Sequence, residues 1–303
     1  KIEGLREETK IERIDQAKLQ IKAEKKETPI FKIKEENLLL NKGFNLLPKS
    51  SACDLFFDIE GVQDYVFPKK LEYLFGIYYE EDGEKTFKPF WAHNKKEEKK
   101  SIIDFFEFTK KHFKKFPEAK IFHFAPYEIT SLERLTSMFK VHGVDYDHYL
   151  NLGKFVDLFK IVKQAIHISQ RSYSLKDIEK YYDFKRSGDI RKGDVSEEFY
   201  IRWMETKEQN LLDQIAEYNK QDCLSTFKLR KWLLKIKPEQ TRWFVPEKEQ
   251  MDLRPHEEVL LEYQVKFSNY KGKKTNLINI LSDIVGFYNR EQKNQWREFF
   301  DRK

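Results

Sequence analysis

Two acids one residue apart, Asp58 and Glu60, close the run Asp54-Leu-Phe-Phe-Asp-Ile-Glu60, and Gly61 follows them. If that run is a strand, alternate residues share a face, so both carboxylates point one way and Ile59 the other. Two like charges at a buried strand end cost free energy unless a cation neutralises them. Mg²⁺ and Mn²⁺ take oxygen ligands. Phosphodiester hydrolysis by two such ions needs several carboxylates converging on cations roughly 3.5–4 Å apart. The competing reading is a frayed strand end with both acids in water. Asp-x-Glu by itself does not separate the two.

Other acids fit the same chemistry. Glu128, in His123-Phe-Ala-Pro-Tyr-Glu128, follows a short apolar run and falls in the first turn of an expected helix. Acids are favoured there by the helix dipole whether or not they bind a metal. Tyr218-Asn-Lys-Gln-Asp222 has the i, i+4 spacing that puts a phenol and a carboxylate on one helical face. A tyrosine hydroxyl beside a metal-bound water can orient it or help deprotonate it. The alternative is a core tyrosine with an exposed aspartate, since Leu211, Leu212, Ile215, Leu224 and Phe227 form an apolar stripe nearby. Lys176 is a candidate phosphate contact or a surface lysine. His123 is a candidate substrate contact or a packed histidine at a strand end. Asp157 reads as a structural acid, and His93 and His148 carry no signal.

The elements that must position these residues are legible from pattern. Residues 54–60, 71–79 and 85–91 read as strands, the last two joined by the turn signal Glu81-Asp82-Gly83-Glu84. Residues 95–116 read as a helix, 119–124 as a short buried strand, and Pro126 opens a helix to about residue 139. Residues 155–158 are a fifth strand. Residues 158–168, 174–182, 196–207 and 210–236 then read as helices, with Ser174 an N-cap and Pro238 a stop. Residues 1–50 read as a helical connector to an upstream module, 51–237 as the domain that carries the acids, and 238–303 as a helical, basic extension. From Tyr263 to Lys303 there are nine Lys/Arg against four Asp/Glu.

Composition sets outer limits. The chain has 303 residues, with 57 Lys and Arg against 51 Asp and Glu, a net charge of +6. That excess suits a polyanionic partner, and it equally suits a solvated lysine-rich surface. The only cysteines, Cys53 and Cys223, are too few and too far apart for a zinc pattern or a disulfide framework, so a cytoplasmic setting is expected. No apolar run approaches the ~20 residues of a membrane helix. The chain opens Lys-Ile-Glu-Gly, with neither a signal-peptide apolar region nor an initiator Met, and so reads as a processed or partial chain.

Taken in order, Asp58/Glu60 on a first strand, Glu128 after a later strand and Tyr218-x-x-x-Asp222 on a late helix resemble the DEDDy class of 3′–5′ exonucleases. The element order β-β-β-α-β-α-β-α is similar to the ribonuclease-H-like fold, an α/β mixed sheet flanked by helices. Glu128 departs from the class, most of which has Asp there. Asp58-Ile-Glu-Gly61, Leu71-Glu-Tyr-Leu-Phe-Gly76, Phe90-Trp-Ala-His93, Tyr173-Ser-Leu-Lys176 and Tyr218-Asn-Lys-Gln-Asp-Cys-Leu-Ser-Thr226 further resemble the YprB-type domain of bacterial proteins that also carry RecB-like nuclease and helicase modules. Arg13-Ile-Asp-Gln-Ala-Lys-Leu-Gln20 is similar to the connector after the RecB-like part, and residues 284–300 to the segment leading into the helicase. No Gly-Lys-Ser/Thr phosphate loop is present, so this chain is not itself the motor.

The resemblance implies two Mg²⁺ or Mn²⁺ ions held by Asp58, Glu60, Glu128 and Asp222, with Tyr218 orienting the attacking water. It implies single-stranded nucleic acid as substrate, DNA before RNA, gripped by aromatic and basic side chains such as Lys176 and His123. Two other readings remain open: a nucleic-acid-binding scaffold that serves a neighbouring nuclease or helicase, and a protein-interaction segment driven by the charged flanks.

Overall fold

The structure is a computed structural model that describes residues 7–62, 70–186 and 193–246. The basic stretch 263–303 and the helicase-adjoining motif 284–300 lie outside the described residues, as does most of the expected extension 238–303. Everything described belongs to one compact unit ending at Pro246.

In chain order the elements are α1 (Glu7–Lys26), β1 (Phe31–Ile33), β2 (Leu55–Val62), β3 (Leu71–Glu81), β4 (Glu84–Trp91), α2 (Lys95–Lys115), β5 (Ile121–His123), α3 (Tyr127–Phe139), α4 (Gly143–Asn151), β6 (Phe155–Asp157), α5 (Leu158–Ala165), β7 (Ile166–Ile168), α6 (Leu175–Ile178), α7 (Gly193–Thr206) and α8 (Gln209–Ile236). Five strands form one mixed sheet in the order β4-β3-β2-β5-β6. The hairpin strands β2, β3 and β4 are antiparallel, and β5 and β6 continue parallel to β2. This is the mixed α/β sheet expected from the sequence. The β3–β4 hairpin closes on Asp82 (φ 52°) and Gly83 (φ 85°), the pair of positive φ angles a two-residue primed turn requires.

Strand β2 sits at the centre, and its alternation sorts the two faces. Leu55, Phe57 and Ile59 pack with Phe105, Phe106, Ile102, Leu132 and Leu135 from α2 and α3. Phe56 points the other way, against Phe122 and Phe227, where α5 and α8 cover the sheet. Each such side chain, when fully buried, contributes roughly 1.5–3 kcal/mol. Asp58 and Glu60 follow Phe56 on this α8 side.

Three expectations need correction, and one element was not foreseen. Strand β2 does not stop at Gly61. It bulges between Glu60 and Gly61 and pairs on to Val62, and it begins at Leu55 rather than Asp54. Asp54 is instead a buried bracket that accepts the backbone N–H groups of Ser51 and Lys120, both at 2.9 Å. Residues 158–168 are not one helix. The helix α5 ends at Ala165, and Ile166–Ile168 becomes a strand because Phe31–Ile33 pairs with it antiparallel. The sequence reading also left out a helix, α4, which follows α3 after Lys140 and His142, both at φ 52°. Neither left-handed residue is itself a glycine, the usual mark of such a break. Finally, residues 31–47 are integral to the fold. Strand β1 pairs with β7 in a separate two-stranded sheet, and Phe44 and Leu47 are buried in the same cluster as Phe56 and Phe227.

Candidate metal centre

The centre forms where α8 crosses the polar half of β2. The long helix is held there by its apolar stripe, in which Leu211, Leu212, Ile215, Phe227 and Leu233 are buried. Close approach to β3 is possible because residue 76 is glycine. A Cβ there would lie 1.7 Å from Asn219 Oδ1 and 2.9 Å from the Phe87 ring. On the face so presented, Asn219 donates to Asp58 Oδ2 at 2.7 Å. Asn219 and Ser196 also hydrogen-bond Glu60, and the Ser196 hydroxyl pairs with Tyr73 at 2.9 Å.

One carboxylate oxygen from each of Asp58, Glu60 and Asp222 lies within 4.8 Å of the others. Residues separated by more than 160 positions thus share one small volume. At an effective dielectric of ~20, each ionised pair at that spacing repels by roughly 3 kcal/mol. Three such pairs rival the whole stability of a domain, which is ~5–15 kcal/mol. The carboxyl groups respond accordingly. Burial first, then Asp222, raises Glu60 to about 8. Burial, Asp222, Glu60 and Glu128 together hold Asp58 well above the usual carboxylate range. Burial also raises Asp222 in spite of an ion pair with Arg186.

The remaining candidates fall around this trio. Glu128 lies in the first turn of α3 and is buried, but it is not gathered into the trio. Its Oε2 has no hydrogen-bond partner among the described residues and is 3.6 Å from His123 Nδ1. That Nδ1 donates to the Ala125 carbonyl at 2.8 Å, which fixes the tautomer of His123 and keeps the ring buried at the end of β5. Asp157 caps α5, accepting from Phe159 N–H at 2.9 Å, and also receives Ala125 N–H at 3.0 Å. Tyr218 sits one helical turn before Asp222. Its phenol is raised far above its ordinary range, first by burial and then by Asp222, Glu60 and Asp58, so it stays protonated. Lys176 reaches in from α6, with Nζ 5.3 Å from the centroid of the Tyr218 ring. Its ammonium is pushed down by burial and Arg186, against the pull of Asp222, Glu179 and Glu60.

Sequence reading missed Asn219, Ser196, Glu179 and Arg186. Asn219 lies inside the motif Tyr218-Asn-Lys-Gln-Asp222 and could have been found from its place next to Tyr218 on the inward face. Arg186 lies in the loop after α6, where no periodicity marks it. Its Nε and Nη2 grip Glu179 at 2.6–3.0 Å, and Nη2 also reaches Asp222. Arg186 is thus shared between Glu179 and Asp222, and Lys176 lies close by. An all-oxygen donor set, like charges forced together and an unpartnered buried carboxylate oxygen at Glu128 fit a divalent cation.

The family model RNase_H_2, described as RNase_H superfamily, matches residues 55–234. The chain belongs to the RNase H superfamily. The match begins at the first residue of β2 and ends near the end of α8, so it spans the sheet and every acid of the centre. No curated protein and no solved structure is similar enough to match the chain. RNase H superfamily members are typically phosphodiester hydrolases, and this nuclease-like domain carries an acidic trio able to bind metal. No helix among the described residues is long and apolar enough to cross a membrane.

Proposed function

We propose that this chain is a metal-dependent 3′–5′ exonuclease of the DEDDy type that hydrolyses single-stranded nucleic acid, DNA in preference to RNA. The observation that carries the reading is the convergence of Asp58, Glu60 and Asp222 within 4.8 Å, one turn from Tyr218. Asp58, Glu60 and Asp222 would hold two Mg²⁺ or Mn²⁺ ions, with Glu128 completing the set. When bound, such ions supply charge stabilisation for a phosphoryl group and lower the pKa of water.

The protein's own groups do the rest. Asn219 fixes the rotamer of Asp58 through its 2.7 Å bond, and Ser196 with Asn219 fixes Glu60. Pre-oriented ligands of this kind avoid reorganisation during reaction. Tyr218, kept neutral, donates or accepts a hydrogen bond to orient the attacking water and does not act as its base. Lys176, beside Tyr218, offers a positive charge to the substrate backbone.

The likeness to the YprB-type domain supports a setting between a RecB-like nuclease and a helicase in one protein. A second reading, a nucleic-acid-binding scaffold for those modules, draws support from the position of Glu128 outside the trio. A 5′-labelled single strand incubated with Mn²⁺ separates the two. The exonuclease gives a ladder shortening from the 3′ end, blocked by a phosphorothioate at that end. Binding without any shortening supports the scaffold, and cutting of a circular single strand excludes an exonuclease.

A further inference from the structure

The Arg186 guanidinium is more elaborately held than a counter-ion needs to be. Its side-on edge, Nε and Nη2, is clamped by both oxygens of Glu179. Glu179 is itself buried and fixed by Ser225 Oγ at 2.7 Å, and that hydroxyl pairs with Tyr182 at 2.8 Å. The end-on edge carries Nη2 and Nη1. Nη2 contacts Asp222, one of the trio, while Nη1 is buried with no hydrogen-bond partner among the described residues. The guanidinium is planar with its five N–H groups in a fixed fork, so the free Nη1 donor belongs to the same edge as the Nη2 contact with Asp222. Buried donors are rarely left unpaired. The fork matches two acceptor oxygens, and one of the two is missing. Arg186 and Lys176 also share Tyr218, at 5.6 Å and 5.3 Å from its ring centroid. Two cations therefore flank the residue that stands beside the acids.

We propose that Arg186, positioned by Glu179, is a substrate-contacting residue of the centre whose Nη1 takes a phosphate oxygen of the bound strand. This rests on the nuclease reading. The Glu179–Arg186 pair joins Asp222 and the phosphate in one rigid unit, so metal site and substrate backbone keep a common register. Lysine could keep the charge but not the fork.

The test uses the full 303-residue chain, a fluorescein-labelled oligothymidylate and Ca²⁺ to hold binding without cleavage. Arg186→Gln is expected to weaken binding roughly tenfold, the scale of one charge-assisted hydrogen bond. It should also reduce the slope of log affinity against log salt by ~0.7, the loss of one single-strand phosphate contact. Arg186→Lys should weaken binding while leaving the slope unchanged. Glu179→Gln, which keeps Arg186 but loosens it, should weaken binding in the same direction. Wild-type affinity and slope in Arg186→Gln, with tighter Mn²⁺ binding by calorimetry, would show a mere counter-ion for Asp222 and overturn the proposal. Should Arg186→Gln fail to fold, wild-type affinity in Arg186→Lys overturns it equally. Mn²⁺ binding and cleavage by the unmodified chain are measured alongside. Their absence refutes the nuclease reading itself, whereas their presence with unchanged variants refutes only the role of Arg186.

Discussion

At the scale of single residues, the centre trades stability for charge. Asp58, Glu60 and Asp222 are held together against their repulsion, and their carboxyl groups are raised above the range of an unfolded chain. The direction of the pH dependence follows. Between the ordinary value of 4.5 and about 8, folded Glu60 binds more protons than its unfolded counterpart, so metal-free stability falls as pH rises through that window. Metal binding must expel those protons. Mn²⁺ affinity is therefore expected to climb from pH 5 to about 8 and then level. Calorimetry at pH 7 in buffers of different ionisation heat should detect proton release. Asp58→Asn should raise the melting temperature of the metal-free protein, by roughly 0.5–2 kcal/mol in stability, and abolish the further stabilisation by Mn²⁺. An unchanged Mn²⁺ response in that variant would mean the ion binds elsewhere. On the proposed mechanism Tyr218 orients water and is not a ligand, so Tyr218→Phe should lower kcat while leaving Mn²⁺ affinity close to wild type.

At the scale of elements, α8 decides whether the acids meet. Its docking depends on Gly76, since any Cβ there collides with Asn219, the residue that orients Asp58. Gly76→Ala should cost ~1–3 kcal/mol, the usual range for overpacking. It should weaken Mn²⁺ binding although it removes no ligand, and a Gly76→Ala protein with wild-type stability and Mn²⁺ affinity would contradict this role. The sequence made much of this level legible. Alternation along residues 54–60 placed Asp58 and Glu60 on one face, and the i, i+4 pair Tyr218 and Asp222 placed the helix that answers them. Elements were lost where a tertiary partner or an unmarked backbone break decided the outcome. Ile166–Ile168 is a strand only because Phe31–Ile33 lies beside it, and α4 starts after a left-handed residue that is not glycine. Arg186 escaped notice for a related reason. Its meaning lies in Glu179 and Asp222, which are brought to it by two different elements.

At the scale of the whole molecule, the segment before the matched region is part of the fold. Phe44 and Leu47 are buried with Phe56 and Phe227, Phe31 packs edge-on against Trp232 at 5.2 Å, and Arg242 N–H bonds Asn45 Oδ1 at 2.7 Å. A chain beginning at Ser51 loses these contacts. Deleting even one large core side chain costs ~2–5 kcal/mol, so that chain should melt far lower than one beginning at Glu27. Equal melting temperatures would show residues 27–50 to be dispensable. The superfamily match and the mixed sheet place the acids in a nuclease-like frame, and the decisive question is whether that frame cuts. The direct measurement is degradation of end-labelled single-stranded DNA and RNA with Mn²⁺ or Mg²⁺, comparing the unmodified chain with a folded Asp222→Ala protein. Metal-dependent shortening by the unmodified chain, lost with chelator and lost in Asp222→Ala, is the expected result. Shortening that persists undiminished in folded Asp222→Ala, or no shortening by the unmodified chain with either metal, contradicts it.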